Sequence, residues 1–186
     1  MKIMKKILFS VLAFTTVVGY SQNWHSAADI PVPIRAGNTA SYSKNGEGFL
    51  FIVSGGDNNG NIPPKHQRCQ ISTDSWISLA RPPNEIMGAA TAILKDSLYV
   101  IGGLRTTPGS ALRTVYKYSI NENTWSQAAN FPFALVDAKA VAYQDSLIYI
   151  TGGSTNNTFE THSDECYLYD VRMTAGRRCL RSLLLG

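Results

Sequence analysis

Two unrelated markers advance along this chain in step. Glycine pairs stand at Gly55 and Gly56, Gly102 and Gly103, and Gly152 and Gly153, at intervals of 47 and 50 residues. Tryptophans stand at Trp24, Trp76 and Trp125, at intervals of 52 and 49. Each glycine pair ends an apolar run, "GFLFIVSGG", "SLYVIGG" and "SLIYITGG". Each tryptophan leads through small and polar residues to proline, in "WHSAADIPVP", "WISLARPP" and "WSQAANFP". Repetition at such a period belongs to architectures in which one supersecondary unit buries its apolar face against the next.

Within a period the local signals agree. "AATAIL" (89–94) reads as a strand, Lys95 and Asp96 as a short polar turn, and "SLYVI" as the return strand. The third repeat copies this with "KAVAY", Gln144 and Asp145, and "SLIYI". The expected hairpins are tight, with the carboxylate in the turn, where Asp tolerates left-handed backbone angles. The first repeat uses Asn45 and Gly46, in what reads as a longer turn. A variable loop follows each pair. Then "TVYKYSI" (114–120) alternates, placing Tyr116, Tyr118 and Ile120 on one face. "NENT" turns the chain into "TWSQAA". Each period thus holds four short strands, and no amphipathic helix is visible outside the N-terminal segment.

The stretch "YVIGG…VYKYSINENTWSQAANFP" resembles the kelch motif, in which a hydrophobic strand ends in Gly-Gly, a tyrosine strand follows, and a tryptophan sits after a polar turn. The second repeat matches best. The first has Gln67 and Cys69 where the second has Tyr116 and Tyr118, and the third keeps the glycines and "YLY", beginning at Tyr167. The resemblance covers about residues 22–170. It implies an all-β fold: a kelch-type β-propeller with about three four-stranded blades of an incomplete propeller. The expected division is a partial blade at 22–34, blades at 35–83 and 84–132, and an incomplete blade at 133–170. Kelch propellers usually close with six or seven blades, about 300–350 residues at this period. An open arc would expose strand edges, which implies self-association through them. After Asp170 a tryptophan is due near position 176, yet Gly176 stands there, in a basic non-repeat tail at 171–186. Such loss of register is what a truncated or frameshifted propeller would show.

The glycines invite a phosphate-loop reading, but such a loop needs several glycines leading into a helix N-terminus. Here there is no GxGxxG, no GK[ST] and no helix downstream. We therefore read Gly55, Gly56, Gly102, Gly103, Gly152 and Gly153 as architectural, ending a buried strand where the backbone bends and neighbours approach closely. Trp76 and Trp125 could be sugar-stacking platforms. Their fixed place in the period favours packing between neighbouring blades, as the resemblance also implies. Tyr116 and Tyr167 belong to the tyrosine strand of the motif.

The histidines are His25, His66 and His162. "THSDEC" (161–166) lacks ligand-like spacing, so no metal is expected, nor any cofactor. No GxSxG elbow marks a nucleophile, and no catalytic residue is assigned. In kelch-like propellers one face is built by the loop after Gly-Gly and the loop between blades. Here those are "DNNGNIPPKHQ", "LRTTPGSALRT" and "STNNTFETHSDE", with "PVPIRAG", "RPPNEIMG" and "FPFALVDA". They vary while the strands repeat, as loops presented by a scaffold do. Arg35, Arg105, Arg113 and His66 are the ligand-binding candidates on them, since a guanidinium fork suits carboxylates. The leading expectation is a non-catalytic scaffold for a protein or carbohydrate ligand. The alternatives are a non-functional propeller fragment or a sugar-modifying enzyme such as a sialic-acid mutarotase or epimerase. "IPVPIRAGNTA" is similar to the mature start of exported mutarotases of this type.

Charge points away from nucleic acid. The formal net charge is +4, but Lys2, Lys5 and Lys6 lie in the first 21 residues and Arg172, Arg177, Arg178 and Arg181 in the last 16. Between them acidic residues outnumber basic ones by 13 to 10, and no basic stripe is present for a phosphate backbone. "MKIMKKILFSVLAFTTVVGYSQ" has the basic, apolar, small-residue order of a secretory signal peptide at 1–21, with cleavage expected after Ser21. Its apolar run of about 13 residues falls short of the ~20 that span a bilayer, so no stable membrane span is expected after cleavage. The expected location is secreted or periplasmic. Cys69, Cys166 and Cys179 are odd in number and fall in different parts of the chain, so no framework of disulfides is expected.

Overall fold

A computed structural model of the chain describes residues 24–106, 109–156 and 161–172. The signal segment, Cys179 and the tail beyond Arg172 lie outside the described residues. Among those described, strands β1 (Asn38–Lys44), β2 (Glu47–Val53), β3 (His66–Gln70) and β4 (Ser75–Ser78) form one antiparallel sheet in that order, blade 1. Blade 2 runs β5 (Ala90–Leu94), β6 (Ser97–Ile101), β9 (Val115–Ser119) and β10 (Thr124–Gln127). Between its two halves β7 (Leu104–Thr106) pairs with β8 (Gly109–Ala111). The loop after the second glycine pair thus carries a small hairpin of its own. Blade 3 contributes β11 (Lys139–Tyr143), β12 (Leu147–Thr151) and β13 (Cys166–Asp170). All-β blades of meandering strands are what the repeats predict for an incomplete kelch propeller.

The turns correct two expectations. Only Asn45 and Gly46 separate β1 from β2, and both have positive φ, 53° and 80°. That suits a two-residue primed turn, so the first hairpin is tight rather than long. In the second and third turns the left-handed residue is Lys95 (φ 54°) and Gln144 (φ 52°), the residue before each aspartate. Asp96 serves another purpose: its carboxylate accepts hydrogen bonds from Tyr42 Oη, from Lys44 Nζ at 3.1 Å and from Asn121 Nδ2 at 3.1 Å, tying blade 1 to blade 2.

The glycine pairs also fall out of register by one. Backbone bridges join Arg35 to Gly56, Met87 to Leu104 and Val136 to Ser154. Gly56 therefore stands where the other repeats have Leu104 and Ser154, and the true counterpart of Gly102 and Gly152 is Ser54. The backbone agrees: Ser54, Gly102 and Gly152 have φ of 50°, 68° and 66°. At Gly102 and Gly103 the close approach is real. A Cβ on Gly102 would lie 2.2 Å from the Leu135 carbonyl oxygen, and one on Gly103 would lie 2.6 Å from Ile86 Cγ2.

Strand alternation divides the apolar residues between two seams. Leu98 and Val100 of β6, with Tyr116 and Tyr118 of β9, face Phe51 and Val53 of blade 1. Tyr99 and Ile101 of β6 and Val115 of β9 face Ile148, Ile150 and Tyr169 of blade 3. The period of two in each strand is thus the device that lets blade 2 bury both faces.

Trp76 and Trp125 tie their blades to the preceding segment by a repeated hydrogen bond. Trp76 Nε1 donates to the Ala28 carbonyl at 3.0 Å, and Trp125 Nε1 to the Ala80 carbonyl at 2.8 Å. Ala28 and Ala80 lie four residues after Trp24 and Trp76. The amide N–H of the same alanine is taken by the residue two before the next tryptophan: Asp74 accepts from Ala28 at 2.9 Å and Asn123 from Ala80 at 2.9 Å. In blade 3, Tyr169 Oη donates to the carbonyl of Ala129, four residues after Trp125. The tryptophans therefore act in packing between units, and Trp125 meets His66 edge-on and Tyr118 at a tilt in an aromatic cluster.

Candidate ligand cleft in the loops

Three loops meet where blades 1 and 2 adjoin. The loop after β2 supplies Pro64, the inter-blade segment supplies Pro82, Pro83, Asn84 and Glu85, and β7 supplies Arg105. Together they line a cleft of about 410 Å³. The backbone beneath it is held on both sides. Leu104 exchanges hydrogen bonds with Met87 (2.7 and 3.1 Å), and β7 pairs with β8 so that Arg105 lies opposite Ser110.

The exposed Arg105 side chain is oriented by a relay. Its Nη2 donates to Asn84 Oδ1 at 3.0 Å, and Asn84 Nδ2 donates to Tyr116 Oη. Tyr116 is buried in the seam. Of the four candidates, Arg105 is the one that enters the cleft.

Arg35 is exposed on the preceding inter-blade segment and lies over Gly56, with Nε 3.1 Å from where a Cβ would stand. Nearby, the Asn61 amide chiefly, and the Arg35 charge to a lesser degree, hold the Asp57 carboxyl below its usual range. Arg113 is exposed, and its carbonyl accepts from the Phe131 amide at 2.8 Å. Neither lines the Arg105 cleft.

His66 is not on the loop surface. It begins β3 and is 2 % exposed. Its ring meets Tyr118 edge-on at 4.4 Å and Nδ1 lies 3.2 Å from the Ala80 carbonyl, while Nε2 has no partner. Burial pushes its pKa down to about 4, so the neutral ring is the form that fits the seam.

Asn84 was not visible as a site residue from its own surroundings. The signal lay in comparing repeats. The side chain at position 67, 116 or 167 meets the residue at 32, 84 or 133 in each repeat. Gln67 holds the Val32 backbone, Tyr116 the Asn84 amide, and Tyr167 packs on Phe133 with ring centroids 4.9 Å apart. Blade 2 alone of the three places a polar side chain there.

A second cleft, of about 350 Å³, runs along the innermost strands and is lined by small and apolar residues such as Thr39, Ala92 and Ala140.

Blades of antiparallel strands, a seam closed by tryptophan and loops that follow a glycine turn are the architecture of an incomplete kelch-type β-propeller, and the chain carries the kelch repeat. Residues 87–132, most of blade 2, match the Kelch motif. The chain is similar to Beta-scruin of Limulus polyphemus, 29 % identical over 72 % of this chain and 15 % of that protein. It is 27 % identical to the N-acetylneuraminate epimerase of Salmonella typhimurium, over 87 % of this chain and 42 % of the enzyme. Kelch-like protein 35 of Mus musculus is 26 % identical over 77 % of this chain and 23 % of its own length. The chain therefore spans less than half the length of these curated relatives.

Proposed function

We propose that this chain is an exported kelch-repeat binding scaffold whose variable loops hold a protein or carbohydrate ligand. The observation that supports this is the convergence of three loops, from two blades and the segment between them, on one cleft that contains an oriented arginine. The apolar and paired strand residues are spent on the seams, which leaves the loops as the part able to vary with a ligand. Export rests on the basic, apolar, small-residue order of residues 1–21. N-terminal sequencing of the protein from its native host should find a chain that begins at Gln22. One that begins at Met1 would refute export by signal cleavage.

A glycan array and a pull-down from host extracellular material, each run with the full chain and with an Arg105→Gln, Asn84→Ala double variant, test the binding reading. Loss of the captured ligand in the variant is the expected result. An unchanged ligand profile would remove the cleft from the function. A second reading, an epimerase-type activity on a sugar, is favoured by the similarity to the Salmonella enzyme across 169 residues. A sugar-anomerisation assay separates it from simple binding.

A further inference from the structure

We propose that a second copy of this chain docks on the outward face of blade 3 and that its Trp24 segment completes that blade, so that two copies close head to tail into one six-bladed ring. The inference goes beyond the loop-scaffold reading and stands without it. It starts from the register of the repeats. β4 and β10, which carry Trp76 and Trp125, are the fourth strands of blades 1 and 2. Trp24 holds the same place in the period, 52 residues before Trp76. Yet Trp24 is 94 % exposed, and its segment pairs with no strand among the described residues. Blade 3 has the reverse lack: among the described residues β13 ends its sheet, with no strand on its outer side. The sequence that follows β13 carries Gly176 where a tryptophan is due.

The seams within the chain show what such a junction needs. Blade 2 turns Ala92, Leu94, Tyr99 and Ile101 toward blade 3. In blade 3 the corresponding positions, read from the strand pairing, hold Val141, Tyr143, Tyr149 and Thr151. Val141 and Tyr143 are 62 % and 50 % exposed, and Tyr143 meets Tyr149 edge-on at 5.6 Å. A sheet face that blade 2 buries, and that blade 3 keeps aromatic and open, is a face for another blade. The covering surface exists on the same chain. Blade 1 presents half-buried Leu50 beside Ile52, at the positions of Ile148 and Ile150, which cover blade 2. The tryptophan has its receptor as well. Cys69 pairs with Trp76 and Tyr118 with Trp125, a register that sets an incoming Trp24 opposite Tyr169. Trp76 and Trp125 donate to the alanine carbonyl four residues after the preceding tryptophan, and beside β13 that acceptor is Ala129 of the other copy. Its carbonyl takes a hydrogen bond from Tyr169 Oη, and the Ala80 carbonyl, shared by His66 and Trp125, shows that such an oxygen accepts two. Contact between unlike surfaces makes a ring where the rotation closes, and three blades from each copy give six, within the natural range of propellers.

The test is sedimentation equilibrium of the protein purified from its native host, over a concentration series up to about 100 μM. The Trp24 Nε1–H resonance is followed by NMR over the same series. Expected is a monomer–dimer equilibrium with no larger species, and a Trp24 signal that moves as the dimer forms. Trp24→Ala and Val141→Asp strike the junction from its two sides. Each should weaken dimerisation at least roughly tenfold. Both side chains are exposed in the single chain, so melting of the dilute monomer should stay at the parent value. Ile77→Ser is the control: Ile77 is exposed too, but lies opposite Arg68 on the face turned to blade 2, and the dimer should survive the change. A chain that stays monomeric throughout the series overturns the proposal, whether its own tail or nothing covers blade 3. So do open oligomers larger than a dimer, a dimer that keeps its affinity in both junction variants, and a dimer in which the Trp24 signal does not move. None of these outcomes touches the loop cleft, whose ligand is tested separately.

Discussion

The seam between blades 1 and 2 and the seam between blades 2 and 3 are built on the same plan, with different chemistry. The second seam is closed by apolar side chains, by tyrosines and by backbone hydrogen bonds such as Gly103 N–H to the Leu135 carbonyl at 2.7 Å. The first recruits polar side chains. Asn38, 3 % exposed, donates to the carbonyls of Val53 and Ile86 and accepts from the Ala89 amide. Asp96 gathers Tyr42, Lys44 and Asn121, and His66 sits neutral among aromatic rings. Hydrophobic burial and strand alternation specify that two blades pack, whereas the choice of polar partners determines how each junction answers to pH and where it can bind. The candidate cleft lies over the polar seam.

The largest effect expected from a single substitution belongs to the apolar seam. Gly102→Ala would drive a Cβ to 2.2 Å from a backbone oxygen at φ 68°, and neither partner is a flexible side-chain end. The variant should fail to give a cooperative thermal transition. Gly152→Ala, at φ 66° with nothing within 4 Å, meets only the left-handed penalty of about 1–2 kcal/mol and should fold. Equal losses for the two would refute close packing as the reason for the first.

Trp125→Ala comes next, at about 3–5 kcal/mol by denaturant unfolding, because it empties the aromatic cluster and removes one of the two hydrogen bonds to the Ala80 carbonyl. Unchanged melting with reduced ligand binding would instead make Trp125 a binding platform.

The polar seam alone should titrate in mild acid. His66 has a folded pKa of about 4 against an ordinary 6.5, so the unfolded chain takes up the proton first. Stability is full above pH 6.5 and falls as pH drops toward 4, by on the order of 3 kcal/mol. His66→Val, which copies Val115 of the second repeat, should flatten that part of the pH profile. A slope that survives in the variant would place the effect elsewhere. Below this range Asp96 takes over: its folded pKa, lowered to about 2 chiefly by the Tyr42 hydroxyl, means its contribution is present above the ordinary 3.8 and disappears as pH falls through about 2. Asp96→Asn should remove that lower step.

The smallest effect is a gain. Ser54 occupies the glycine position of the motif at φ 50°, with its hydroxyl buried and unpartnered. Ser54→Gly should stabilise by about 1 kcal/mol, through relief of a left-handed non-glycine residue. A loss would show that the hydroxyl has a partner in solution.

Much of the fold was legible because period and alternation are local properties. The glycine pairs, the tryptophans and the alternation of Tyr116 and Tyr118 pointed directly to the blades and their buried faces. The register of the first repeat was not, because two adjacent glycines look alike in sequence and only the bridge between Arg35 and Gly56 separates them. The hairpin after Gly103 was hidden in a variable loop. Arg105 was recognisable as a loop arginine, yet Arg35 and Arg113 carried the same signal, and nothing local distinguishes a guanidinium that enters a cleft from one that faces water. His66 looked like a loop residue because the proline-rich run before it conceals where β3 begins.

By itself the sequence determined the repeat, the strand count of a blade and the residues that must face a neighbour, since these follow from spacing along one chain. Only the tertiary structure decided which side chains meet across blades: Asp96 with Tyr42, His66 with Trp125, and Asn84 between Tyr116 and Arg105. Those pairs lie about 20 to 60 residues apart. They are brought together by the rotation from blade to blade, which no local pattern of the chain records.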